Sequence, residues 1–191
     1  MLLSVKAADL GSVLENYEAD QKIDTIGQYD ATMQEDAEVL VRIGLACKAE
    51  RILEIGTSLG NTAKLLAHYF DQVYTLDNAM EEFGGHGEKT GAVCRDIDNV
   101  TQIIGNSLIP ESYSVIDEPV DLVFVDDGHD YHHVVTNTFT AMQLTAPGGV
   151  LVHHDTYWES VMLGLKHLAT VFDVWIVEDT YLAIVRKRAD G

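Results

Sequence analysis

Two stretches of this chain end an apolar run in side chains that can ligate a metal, ionise or accept a proton. In Asp121-Leu122-Val123-Phe124-Val125-Asp126-Asp127-Gly128-His129-Asp130-Tyr131 the run gives way to carboxylates and an imidazole. In Gly149-Val150-Leu151-Val152-His153-His154-Asp155-Thr156-Tyr157-Trp158 it gives way to two imidazoles and a carboxylate. Asp126, His154 and Asp155 form a donor set for a divalent metal: carboxylates suit Mg²⁺, and an imidazole shifts the preference towards Mn²⁺, Fe²⁺ or Zn²⁺. His129, with an unperturbed pKa of ~6.5, is suited to removing a proton near neutrality. Plainer roles compete with these. Asp126 and Asp155 each stand where an aspartate can cap a following helix. His132 and His133 fall in the first turns of a helix, where a histidine is ordinarily solvated or packed. His153 points away from His154 by strand alternation and reads as structural.

A third stretch, Glu54-Ile55-Gly56-Thr57-Ser58-Leu59-Gly60-Asn61-Thr62, lies where an apolar strand turns into a helix. Glycines there let the backbone turn sharply and approach a ligand, and the helix amino end faces that ligand with unpaired donors. Asp77 closes the next strand, where an acidic side chain meets ribose hydroxyls in nucleotide-binding sheets. Gly105-Asn106-Ser107 ends another strand on the same edge. The cluster Gly84-Gly85-His86-Gly87-Glu88-Lys89-Thr90 has the outline of a phosphate loop but carries Glu88 before Lys89, and a carboxylate there repels phosphate. It reads as a surface loop.

This combination resembles the class I S-adenosylmethionine-dependent methyltransferases, whose first motif has an acidic residue two before its first glycine, as Glu54 stands before Gly56. The likeness runs from about Gln34 to the carboxyl terminus. A dinucleotide dehydrogenase would instead need Gly-x-Gly-x-x-Gly, which Gly56 and Gly60 do not supply. The resemblance implies S-adenosylmethionine as cofactor, bound by Glu54, Gly56, Thr57, Ser58, Gly60, Thr62, Asp77, Asn106, Ser107, Asp126 and Asp127. Gly56, Ser58, Gly60 and Thr62 would follow its methionine part, Asp77 its ribose, and Ser107 and Asp127 its adenine. Many members carry Asp where Asn106 stands.

The two strand ends named first, those of the fourth and fifth core strands, resemble the small-molecule O-methyltransferase branch, including the catechol and caffeoyl-coenzyme A enzymes. Asp126 takes that branch's metal-binding aspartate position, His129 its lysine base, His154-Asp155 its Asp-Asn pair and Trp158 its tryptophan. Another set of methyltransferases, with His-Asp after the fifth strand, matches more letters. The implied activity is methyl transfer to a small-molecule hydroxyl, with Asp126 and His129 catalytic and a divalent metal, Mg or Mn or similar, on Asp126, His154 and Asp155. Two alternatives stay open: a cofactor-binding interaction module without catalysis and a metal-dependent hydrolase. The second is disfavoured because no glutamate lies between suitably spaced histidines.

The elements that must position these residues follow from periodicity. Short apolar runs separated by helix-like stretches indicate β-α units and a parallel sheet. Strands are expected at Arg51–Ile55, Gln72–Leu76, Val100–Ile104, Asp121–Val125 and Gly149–His153, with helices at Asn61–Tyr69, Tyr131–Leu144 and Thr156–Ala169. Val171–Val177 and Tyr181–Val185, joined at Glu178–Thr180, read as a hairpin. Ahead of these, Leu2, Leu3, Val5, Leu10, Val13, Leu14 and Tyr17 form a rough helical stripe. A break at Asp24–Asp30 precedes a helix opened by the capping-box spacing of Thr32 and Glu35 and ending near Lys48. Only a short helix, Ala92–Ile97, is expected in the glycine-rich stretch Glu81–Asn99. The expected fold class is α/β: a doubly wound, mostly parallel seven-stranded Rossmann-like sheet with a carboxyl-terminal antiparallel hairpin. Residues 1–48 would pack as amino-terminal helices on a core of residues 49–191, in one domain overall.

Composition narrows the partners. A chain of 191 residues suits one domain. Its net charge of −19 repels phosphate backbones and anionic lipid, which argues against nucleic acid and membranes. Two cysteines in no paired spacing argue against a disulfide framework or zinc ribbon and for a reducing cytoplasm. A homodimer stays open.

Overall fold

The computed structural model describes residues 6–8, 10–24, 31–80 and 86–188, and their side chains apart from residues 6–8 and 31–33. In chain order the elements are β1 Lys6–Ala8, α1 Leu10–Val13, α2 Ala31–Ala46, β2 Arg51–Ile55, α3 Asn61–Tyr69, β3 Gln72–Asp77, β4 Val100–Ile104, β5 Val120–Val125, α4 Tyr131–Leu144, β6 Thr145–His153, α5 Glu159–Leu168, β7 Asp173–Val177 and β8 Ala183–Arg186. They build one sheet in the order β1-β7-β8-β6-β5-β2-β3-β4. Strand β8 pairs antiparallel with both β6 and β7, and every other pairing is parallel.

The central strands are apolar because both of their faces are covered, as parallel sheets require. On one face Ile52, Leu122, Phe124 and Val152 meet Leu40, Val41 and Ile43 of α2 and Leu65 and Leu66 of α3. On the other Leu53, Ile55, Val123 and Leu151 meet Val134 and Ala141 of α4 and Val161 and Leu165 of α5. Alternate residues of one strand thus serve two cores. Among the described residues no helix is long and apolar enough to cross a membrane.

The doubly wound sheet and its hairpin are as the sequence indicates, with an eighth strand added. Residues 6–8 are not helical; they form β1, which pairs with β7 from Lys6↔Trp175 to Ala8↔Val177. The pairing covers backbone groups that β7 would otherwise present at an open edge. Leu2, Leu3 and Val5 lie outside the described residues, as do positions 25–30 of the expected break and Gly84 and Gly85 of the glycine cluster. Helix α2 begins at Ala31, so Thr32 sits inside its first turn rather than ahead of it as a cap. Residues 92–96 form turns instead of a short helix. Helix α5 starts at Glu159 and not at Thr156. The chain first makes a turn in which Trp158 N–H donates to Asp155 O at 3.0 Å, and Asp155 adopts φ 60°.

Candidate active site

The sheet reverses its winding between β2 and β5: β3 and β4 lie beyond β2 on one side, and β6 lies beyond β5 on the other. Such a switch point opens a crevice at the carboxyl ends of the strands. Backbone bonds continue past the strands and tie the crevice loops together. Asp126 N–H donates to Ile55 O at 2.8 Å, Gly56 N–H to Leu76 O at 2.8 Å, Gly105 N–H to Asp77 O at 2.9 Å and His154 N–H to Val125 O at 3.0 Å. The five strand ends singled out by their residue types therefore meet at one edge.

On the β2–β3–β4 side, Asp77 accepts from the backbone N–H of Ser58 at 2.9 Å and of Ala79 at 2.7 Å, which fixes its carboxylate against the glycine turn. Ser58 is exposed at φ 49°, Gly56 and Gly60 take positive φ, and Thr62 is half-buried in the first turn of α3. Glu54 and Thr57 face inwards, at 1% and 3% exposure. Thr75 Oγ donates to Glu54 and lies 2.6 Å from Thr57 Oγ. Glu54 and Thr57 thus support the turn from below. Asp127 accepts from Ser107 Oγ and from Asn137 Nδ2 at 3.1 Å, and Asn106 Oδ1 accepts from Leu108 N–H at 2.9 Å. Beside them opens a cavity of about 570 Å³ lined by Met80, Ile104, Leu108, Ser107 and Asp127 among others.

Burial raises the Glu54 carboxyl to about 8 against an ordinary 4.5, with the Thr75 hydroxyl opposing in part. The native chain therefore holds a proton that the unfolded chain releases above pH 4.5. The stability this contributes is complete below pH 4.5 and is lost as pH rises towards about 8. Replacing Glu54 by Gln imitates the protonated form at every pH. The variant is expected to gain several degrees of Tm relative to the parent between pH 5 and 8, at roughly 2–4 °C per kcal/mol for a chain of this size. A parent–variant difference that stays constant across that range in parallel melts would contradict the buried neutral carboxyl.

On the β5–β6 side, Asp126, His154 and Asp155 come together, with one ligand atom of each within 4.8 Å of the others. His154 Nδ1 lies 3.4 Å from Asp126 Oδ1 and 3.2 Å from Asp155 Oδ1. It is buried, yet neither contact is an aligned hydrogen bond. Ligands about 2.1 Å from one ion at angles of ~90–109° stand about 3.0–3.4 Å apart, and opposite ones about 4.2 Å. The donor set therefore fits a divalent cation after shifts of a few tenths of an ångström. Without a cation a proton occupies the same place: burial alone would depress His154, but its carboxylate neighbours Asp126, Asp155 and Asp36 override it and push the imidazole up to about 12.

His129 is exposed at the crevice rim, its Nε2 on the second carboxylate oxygen of Asp155, which raises its proton affinity above the ordinary 6.5. Asp155 is lowered in turn: its burial is outweighed by the bond from His129 and by the neighbouring imidazole of His154. His129 stacks on Trp158 with ring centroids 5.6 Å apart and 26° between planes. The helix-cap alternatives do not apply. Asp130 caps α4, accepting from His132 and His133 N–H, and Trp158 occupies the N-cap position of α5. His153 is fully buried on the far side of the strand, 2.7 Å from Thr138 Oγ, and desolvation holds it neutral, down to about 3. His132 and His133 remain in the first turn of α4.

The sequence reading missed Asp36. This residue of α2 is 4% exposed, and its Oδ2 lies 3.0 Å from His154 Nε2 across 118 positions of chain. A signal was present, because Asp36 shares the i, i+4, i+7 stripe with Leu40 and Ile43, where an aliphatic residue is the ordinary choice.

A family model described as a methyltransferase domain matches residues 53–156, from β2 through the turn after β6. No curated protein matches the chain in sequence. Among solved structures, an O-methyltransferase from Bacillus cereus in complex with SAH is similar at 20% identity, covering 85% of this chain and 84% of that one with a TM-score of 0.61. The O-methyltransferase TomG from Streptomyces achromogenes, involved in tomaymycin synthesis and in complex with SAM, is similar at 20% identity, 97% and 92% coverage and a TM-score of 0.62. MycE, a methyltransferase from the mycinamycin biosynthetic pathway in complex with Mg and SAH, is similar at 22% identity, 72% and 44% coverage and a TM-score of 0.54. At these identities the likenesses establish the fold.

Proposed function

Because this chain belongs to the methyltransferase-domain family, we propose that it moves a methyl group from S-adenosylmethionine to a hydroxyl oxygen of a small molecule. The observation that carries this reading is the meeting of a cation-sized donor cluster, Asp126, His154 and Asp155, with the imidazole of His129 at the same crevice. The complexes of the similar structures with SAM, SAH and Mg support the choice of cofactor and metal.

S-adenosylmethionine supplies a methyl group on a positive sulfur, and a divalent cation supplies charge that favours the ionised form of the acceptor hydroxyl. The chain's own residues do the rest. Asp77 and the turn from Gly56 to Thr62 hold the ribose and methionine parts. The cavity beside Ser107 and Asp127 takes the adenine between the apolar side chains of Met80, Ile104 and Leu108. Asp126, His154 and Asp155 hold the cation. Trp158, Tyr157 and Tyr181, all exposed and with the Tyr157 ring in contact with the other two, give the acceptor an aromatic wall beside His129. His129 receives the hydroxyl proton while the oxygen–carbon bond forms and the sulfur–carbon bond breaks in line. The protein's main contribution is to align those atoms. A net charge of −19 keeps nucleic acid out of this reading.

Calorimetry with S-adenosylhomocysteine tests it directly. One site per chain is expected, and Asp77→Ala should weaken it ~10–100-fold, as loss of a charged hydrogen-bond acceptor does. No heat at millimolar S-adenosylhomocysteine, with NAD binding in its place, would overturn the assignment.

A further inference from the structure

We propose that Asp36 is a positioning residue for the metal cluster: by accepting the Nε2–H of His154 it turns the Nδ1 lone pair towards Asp126 and Asp155. The inference rests on the reading of that cluster as a cation site, and it adds a residue from outside the matched domain.

The argument begins with cost. A carboxylate taken out of water loses several kcal/mol of hydration unless it is paired. Asp36 lies on the buried face of α2 with Leu40 and Ile43 and is 4% exposed, so a neutral aliphatic side chain would suit the packing better. Its contacts give the carboxylate a use. One oxygen lies 3.0 Å from His154 Nε2, and both oxygens lie near the backbone N–H of Tyr181, at 3.3 and 3.4 Å. Tyr181 stands just ahead of β8, so the carboxylate is held from the hairpin while it holds the imidazole.

An imidazole has two ring nitrogens, and the hydrogen bond made by one determines which lone pair the other presents. With Nε2–H committed to Asp36, Nδ1 is the ligating nitrogen. That is the buried atom lying 3.2 and 3.4 Å from two carboxylate oxygens without an aligned hydrogen bond. Three acceptors gathered without a donor between them repel one another unless a cation or proton intervenes. Asp36 makes this arrangement persistent, because the ring cannot turn over without stranding a buried carboxylate. Carboxylates behind metal-ligating histidines change affinity typically 10–100-fold when removed.

The test measures metal binding, not turnover. Free Mn²⁺ is followed by electron paramagnetic resonance in titrations of the parent, Asp36→Ala and Asp36→Asn, with S-adenosylhomocysteine calorimetry as the control for folding. The expected result is one Mn²⁺ per parent chain, a ~10–100-fold weaker site in Asp36→Ala and an affinity within a few-fold of the parent in Asp36→Asn, whose amide oxygen still accepts from Nε2–H. A folded Asp36→Ala protein with parental Mn²⁺ affinity overturns the proposal, as does an Asp36→Asn protein that loses as much as Asp36→Ala. No Mn²⁺ binding by a parent that binds S-adenosylhomocysteine overturns the metal reading and this inference with it. Should Asp36→Ala fail to fold, ¹¹³Cd²⁺ on the ¹⁵N-histidine parent decides: coupling to His154 Nδ1 supports the proposal, and coupling to Nε2 overturns it.

Discussion

Replacing His129 by Ala is expected to lower turnover of a hydroxyl acceptor by ~10²–10⁴-fold and to leave S-adenosylhomocysteine affinity nearly unchanged. The expectation rests on position and on electrostatics. His129 stands at the crevice rim, stacked on Trp158, with Nε2 on Asp155, whose negative charge raises the imidazole's affinity for a proton. A base must be unprotonated to act, so kcat/KM should rise with pH through a value above the ordinary 6.5 of histidine and then level. In the variant that limb should disappear. The competing role is packing alone: the His129 carbonyl accepts from Ser160 Oγ at 2.5 Å, a bond that alanine retains. If packing were the whole role, the variant would melt earlier yet turn over normally with an unchanged pH profile, and that pair of results would remove His129 from the chemistry.

Replacing Gly56 by Ala should have the largest structural effect of any single methyl group added at the crevice. A Cβ at this position would stand 1.9 Å from the carbonyl oxygen of Asp126 and 2.6 Å from its carbonyl carbon, on a backbone with φ +106°. Neither neighbour can give way cheaply, because the Asp126 N–H is bonded back to Ile55 O at 2.8 Å and its side chain belongs to the metal cluster. A loss of at least about 3 kcal/mol is expected, or roughly 6–12 °C of Tm, together with loss of S-adenosylhomocysteine binding. Gly148→Ala provides the comparison. That residue also has positive φ, +85°, but a Cβ there meets nothing within 4 Å, so only the backbone penalty of ~1–2 kcal/mol applies. Equal melting temperatures for the two variants would show that the close approach of Gly56 to Asp126 does not matter.

The residues that form the crevice were legible because each loop carries its own local signal. Strands β2 and β5 are runs of apolar and β-branched residues buried on both faces, and the period-2 pattern that separates His153 from His154 assigns one to the core and the other to the crevice. Asp126 and Asp155 were harder. A strand-terminal aspartate has the same local appearance whether it caps a helix or faces a ligand, and the structure distinguishes them by giving the α4 cap to Asp130 and the α5 N-cap position to Trp158. Glu54 shows the same limit: its letter marks a motif, but its inward direction and raised proton affinity come from Thr75 and the strands packed around it.

Local sequence is enough to set the order of β and α units, the sharp turn at Gly56, and which strand ends carry carboxylates and imidazoles, since all of these depend on neighbours a few positions away. Tertiary structure alone decided which of those groups touch. It brought Asp36 to His154 across 118 positions, placed His129 on Asp155, and laid residues 6–8 against β7. The physical reason is that propensity and periodicity act over one or two turns of chain. The contacts that orient the imidazole and cover the sheet edge arise only when distant elements pack, and at Asp36 that packing supplies the partners of a buried carboxylate where the helix pattern alone calls for an apolar residue.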